Sequence, residues 1–181
     1  MKKLINPYLI AFAGLKNGEY NFEYIIDDGF FKDREYSEIQ KALIKTDILL
    51  AKESQLLVFN IKMEGTINVM CDRCGDPFDV LVWGEKKLII TLTNNSFEDE
   101  EDIASLPLDA SEVDLSPYLY EFISLLLPLR RVHPNIEKGI DTCNEESLKL
   151  LEKFSTKEKE TATDPRWDAL LKIKKDKKTN N

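Results

Sequence analysis

The chain of 181 residues holds three cysteines and one histidine, and their spacing suggests a single use for all four. Cys71 and Cys74 form a C-x-x-C pair followed directly by Gly75; 58 residues separate Cys74 from His133, and nine separate His133 from Cys143. Three thiolates and one imidazole are the donor set of a closed tetrahedral Cys₃His zinc site, in which the protein fills every coordination position. The role of such a site is structural. Gly75 fits this role, since a residue without Cβ adopts positive φ easily and lets successive backbone N–H groups point at the thiolate sulfurs. Closing the long loop between Cys74 and His133 costs roughly 3–4 kcal/mol plus a constant. Structural zinc supplies about 10–16 kcal/mol of apparent binding free energy in small peptides, so the closure is permitted.

Two other uses of these residues stay open. Cys71 also continues an apolar strand face, which leaves Cys143 as an incidental thiol and His133 as an ordinary loop residue. A C-x-x-C pair can also do thiol redox chemistry, although here it falls in a β-hairpin rather than at the helix N-terminus that lowers a redox thiol's pKa. Catalysis elsewhere is thin. With His133 used as a ligand, no Ser/His/Asp or Cys/His arrangement is left and there is no glycine-rich phosphate loop, so the expectation is that this is not an enzyme and takes no small-molecule substrate.

The elements that must position these residues follow from apolar periodicity. Leu57, Phe59, Ile61, Met63, Ile67, Val69 and Cys71 share one parity, and Phe78, Val80, Val82, Leu88, Ile90 and Leu92 repeat it after the cysteine turn, with Gly84 a bulge or bend. Two long strands therefore meet at Cys71–Cys74. Ile44, Ile48 and Leu50 make a third strand within Ala42–Lys52. Leu4–Phe12 and Tyr20–Ile26, separated by Asn17-Gly18, read as a further hairpin, with Pro7 placing the first strand at an edge. Phe30 and Phe31 plug the core, and Ser37 starts a short helical turn through Gln40. Ile103–Leu108 is a short strand leading to Val113. Ser116-Pro117 reads as N-cap and N1 of a helix carrying Leu119, Phe122, Ile123, Leu126 and Leu127 and stopped by Pro128. A polar helix begins near Glu145, and Asp164-Pro165 opens a last one with Trp167, Leu170 and Leu171 on one face.

These elements assemble into an α+β fold: a largely antiparallel, curved or barrel-like sheet of five or six strands, a covering helix, and short C-terminal helices. Residues 1–150 form one domain in which the Cys/His site joins the hairpin tip to the C-terminal third. Residues 151–181 are a polar linker plus a short basic amphipathic helix and tail.

Net charge is -8, which opposes non-specific attraction to nucleic acid or anionic membrane, and the five acids Glu98–Asp102 read as a solvated loop. The C-terminus reverses the sign. Arg166, Lys172, Lys174, Lys175, Lys177 and Lys178 against Asp168 and Asp176 give +4, so this tail is either a solvated terminus or an arm for RNA phosphates, with Arg130 and Arg131 as a second contact. No apolar stretch reaches the ~20 residues a bilayer requires. An odd number of cysteines without an apolar leader after Met1 points to the cytoplasm rather than to a disulfide framework.

Taken together, C-D-R-C-G-D-P-F on a hairpin, an acidic loop, a helix ending in L-P-L-R-R-V-H-P, then Cys143 and D-P-R-W-D-A-L-L-K-I-K resemble the YceD family of large ribosomal RNA subunit accumulation proteins, from about Leu56 to Lys174. The resemblance implies a bacterial cytoplasmic factor for 23S rRNA accumulation or processing. Its partner would be ribosomal RNA or a large-subunit precursor, or a ribosomal protein. It carries Cys71, Cys74, His133 and Cys143 over as the family's Cys and His positions, with a His133–Cys143 spacer wider than in some members. From the residues alone, the alternatives are an acidic adaptor or chaperone for a basic ribosomal protein and, third, a C-x-x-C redox protein.

Overall fold

The alternating stretches on either side of the cysteine turn form one long antiparallel hairpin in the computed structural model, which describes residues 6–32, 34, 37–94, 103–134 and 142–155. The chain divides into two units, Met1–Cys143 and Asn144–Asn181. In the first, the strands are β1 (Leu9–Ala11), β2 (Gly18–Ile26), β3 (Lys41–Lys52), β4 (Leu56–Met70), β5 (Pro77–Leu92), β6 (Ile103–Leu106) and β7 (Glu112–Asp114), with helices α1 (Asp28–Lys32) and α2 (Ser116–Leu125). Of the second, the structure describes α3 (Glu145–Phe154), whose Asn144 caps it by accepting from the N–H groups of Glu146 and Ser147.

The main sheet has the order β2-β3-β4-β5-β6, antiparallel except for the parallel β5–β6 pair. Its end strands β2 and β6 do not pair with each other, so of the two forms expected from the sequence the sheet takes the open one. The apolar parity of β3 and β4 is buried, that of β5 is buried from Val82 on and half-buried at Phe78 and Val80, and Leu119, Phe122 and Ile123 of α2 join that core.

Several local expectations are corrected. β1 does not form a hairpin with β2; it pairs with β7, Ile10 opposite Val113. The reason lies in Lys52, whose Nζ donates to the carbonyls of Phe12 and Leu15 and so ties the connecting loop to the end of β3, while β2 runs alongside β3. The short helix is α1, before Ser37 rather than after it. Asp27 Oδ1 accepts from Gly29 N at 2.9 Å at its start. Phe31 is buried as expected, and Ser37 starts no helix: its N–H donates to Arg34 O and its hydroxyl bonds the backbone of Ile39.

Ser116 lies inside α2 and Leu115 occupies the N-cap position without a side-chain capping bond; just before it, Asp114 accepts from Ser116 N at 2.8 Å and Ser116 Oγ at 2.6 Å. Gly84 is neither bulge nor bend. It pairs with Met63 in unbroken register, and its missing side chain leaves room for Leu126 beyond the end of α2. The glycine under real constraint is Gly65, where a Cβ would fall on the Leu43 carbonyl and 2.7 Å from Ile44 Cα. The sheet there is close enough that only glycine fits without backbone movement.

Candidate metal centre

Two parts of the first unit meet at this centre. The first is the turn joining β4 to β5, which closes on itself: Cys71 N donates to Asp76 O and Gly75 N to Cys71 O, both at 2.9 Å, and Gly75 takes φ 80. This conformation aims Arg73 N at Cys71 Sγ, 3.4 Å away. No helix starts here, so the helix-terminus geometry that activates redox thiols is lacking at this C-x-x-C pair.

The second part is the segment after α2. Asp72 N donates to Arg131 O and Arg131 N donates to Asp72 Oδ2, both at 2.7 Å, which clamps the turn to that segment. His133 is thereby brought in and lies against the Phe78 ring, centroids 4.7 Å apart. Thr142 Oγ1 donates to Pro134 O at 3.0 Å, drawing the chain beside Cys143 toward the same place.

The four ligand atoms converge. Cys71 Sγ and Cys143 Sγ are 3.9 Å apart, Cys74 Sγ is 3.5 Å from His133 Nδ1, and Cys143 Sγ is 3.6 Å from that nitrogen. A zinc tetrahedron with its usual bond lengths has S···S edges of about 3.8 Å and S···N edges of about 3.6 Å. All four atoms lie within 4.8 Å of one another, so the widest pair must close by about 1 Å to complete the shell. No disulfide links any pair of the cysteines; exposures of 3%, 9% and 7% for Cys71, Cys74 and Cys143 put the thiols inside the protein, and His133 is half-buried. Donor chemistry, spacing and burial all fit a structural ion.

The electrostatics agree. Burial works to raise the Cys71 thiol pKa, but it is outweighed by the backbone N–H groups of Cys74 and Arg73 and by His133, which bring it down from 9.0 to about 6. The site therefore favours the thiolate, the form that binds metal.

The other residues singled out in the sequence fare differently. Arg130 is exposed. The Arg131 guanidinium is engaged with Glu38 Oε2 at 2.9 Å, so this residue braces the metal-site loop. Arg166, Lys172, Lys174, Lys175, Lys177 and Lys178, and the acidic run Glu98–Asp102, lie outside the described residues. Sequence reasoning missed Asp72, Glu38 and Phe78. The signal for Asp72 was present, since a short carboxylate inside a C-x-x-C turn is well placed to accept from a neighbouring backbone, but nothing local names its distant donor.

A family model described as Large ribosomal RNA subunit accumulation protein YceD matches residues 59–174, which includes all four donors. No curated protein and no solved structure matches the chain.

Proposed function

From the premise that the chain belongs to the YceD family of large ribosomal RNA subunit accumulation proteins, we propose that it is a non-enzymatic factor in large-subunit biogenesis. It supports 23S rRNA accumulation or processing by binding pre-ribosomal RNA, a ribosomal protein, or both. One observation carries the mechanism: the four donors form a closed set, so an ion held there has every position taken by protein and serves to fasten rather than to catalyse. Cys71, Cys74, His133 and Cys143 would hold that ion, and zinc suits a three-sulfur, one-nitrogen shell. What it fastens is the tip of the longest hairpin to the segment bearing Arg130. The exposed Arg130 and the basic tail from Arg166 to Lys178 are the groups suited to phosphate.

A second reading is favoured by the net charge of -8: an adaptor that holds a basic ribosomal protein against an acidic surface. No described helix is long and apolar enough to cross a membrane. Three cysteines that form no disulfide with one another suit a reducing compartment such as the cytoplasm. Ultraviolet crosslinking in cells, followed by sequencing of bound RNA and identification of bound protein, separates the two readings. Recovery of 23S precursors supports the first and recovery of a basic ribosomal protein alone supports the second. Absence of both, with no co-sedimentation with large-subunit precursors, overturns the proposal.

A further inference from the structure

The strand register lays out the outer face of the sheet as rows. One row runs Glu23, Asp47, Lys62, Glu85; the next is Ile25, Lys45, Glu64, Trp83; the next is Leu43, Thr66, Leu81. These positions have the parity opposite to the core, where a one-sided sheet normally carries polar residues. Four large apolar side chains break that rule in two adjacent rows. Ile25 and Leu43 are well exposed, and Leu81 and Trp83 are 83% and 80% exposed. Scattered exposed apolar residues are ordinary, but a contiguous set rimmed by charge marks a recognition surface.

The set also has a shape. Ile25, Leu43, Leu81 and Trp83 line an open concavity of about 700 Å³ with Lys45 and Glu64 at its side and Gly65 in its lining. Gly65 has the parity of the core, so it presents only backbone to the concavity, at the point where β4 approaches the β3 backbone too closely for a Cβ. The concavity sits four register steps from the Met70–Pro77 pair that closes the hairpin at the cysteine turn.

Charge identifies the occupant. Lys45 is paired with Asp47 at 3.0 Å and Lys62 with Glu85 at 2.8 Å, which leaves Glu23 and Glu64 as surplus negative charge in these rows. RNA stacking on Trp83 would bring phosphates against those carboxylates. A second copy packed face to face would oppose the same acidic rows. A basic polypeptide meets neither penalty, since its cations face the acids while its apolar side chains fill the concavity.

We propose that this face docks a basic polypeptide segment carrying large apolar side chains, which seat among Leu43, Leu81 and Trp83 while flanking Lys or Arg residues lie over Glu23 and Glu64. It narrows the protein-binding part of the function proposed above and rests on that part for the origin of its partner.

The test is selection of displayed random peptides on the immobilised full chain, with affinities of the selected peptides measured by fluorescence anisotropy. The expected peptides combine Trp, Phe or Leu with Lys or Arg, and Leu81→Ser/Trp83→Ser weakens them at least tenfold. The charge reversal Glu23→Lys/Glu64→Lys, which leaves the apolar residues in place, weakens them similarly and lowers the salt dependence. Both pairs are exposed, so thermal unfolding should stay near that of the parent. Selection of acidic or uncharged peptides, equal binding by both variants, or no selection overturns the docking face. So does a Trp83-dependent affinity for a random RNA 20-mer, or a dimer in sedimentation that the double serine variant abolishes. If peptide selection fails while crosslinking in cells still recovers large-subunit precursors, only the docking face falls; if both fail, the ribosomal reading falls with it.

Discussion

Cys71, Cys74, His133 and Cys143 illustrate how residue types can reveal a site before any fold is known. A three-thiol, one-imidazole inventory with nothing left over named the set, because zinc chemistry restricts both donor type and number. What residue types could not give was the support around the donors: Asp72 bonded to the Arg131 backbone, Arg131 to Glu38, and Phe78 against His133. Those partners are distant in sequence, and their chemistry is shared by dozens of other surface residues. The low Cys71 pKa has a definite pH consequence. Because the folded value of about 6 lies below the ordinary 9.0, the stabilisation it brings to the metal-free chain is complete above about pH 9, shrinks below that, and is lost as pH falls through about 6. Protons then compete with the ion, so titration from pH 8 to 5 in the presence of a zinc-sensitive dye should release metal, and retention down to pH 4 would contradict this. A second residue carries a prediction of opposite sign. Thr46 is fully buried in β3 and its Oγ1 has no hydrogen-bond partner among the described residues. Thr46→Val keeps the shape and removes the unsatisfied oxygen, so it should raise stability by about 1–3 kcal/mol in a denaturant titration.

At the scale of elements, period-2 alternation defined β3, β4 and β5 to within a residue or so, because each buries a single face. Short pieces were less legible. β1 has three residues, too few for a pattern, and its partner β7 lies about a hundred positions away, so the nearer hairpin looked correct from turn chemistry alone. Of the two hairpin glycines only Gly84 stood out in the sequence, as a bulge or bend, while the constrained one is Gly65, since a glycine's role depends on what approaches it. Gly65→Ala drives a Cβ into the β3 backbone and should cost about 1–3 kcal/mol, whereas Gly84→Ala meets only the movable end of Leu126 and should cost less. Equal unfolding midpoints for the two variants would contradict this account of the sheet. Asp114 holds the start of α2 by accepting from the N–H and hydroxyl of Ser116, and Asp114→Ala should remove about 1 kcal/mol, again read from denaturant unfolding.

For the molecule as a whole, the sheet and α2 would form a core without metal, and the centre adds a link between the hairpin tip and the segment after α2. The family was readable from the ordered set of motifs between the cysteine turn and the C-terminus, and the α+β class from the apolar periodicity of the strands and of α2. The outer apolar strip was readable in principle from the parity of Leu81 and Trp83, but alternation was used to find the core and not to audit the opposite face. Removing the ion with a chelator should lower Tm on the order of 10 °C while leaving the sheet's far-ultraviolet circular dichroism intact at 25 °C. The most direct test of the fastening is metal analysis of the purified full chain, with X-ray absorption at the zinc edge and with Cys143→Ser alongside. The account predicts one zinc per chain in a shell of three sulfurs at about 2.3 Å and one nitrogen at about 2.0 Å, and loss of that shell in the variant. Protein purified without metal, with all three thiols freely reactive, would contradict it.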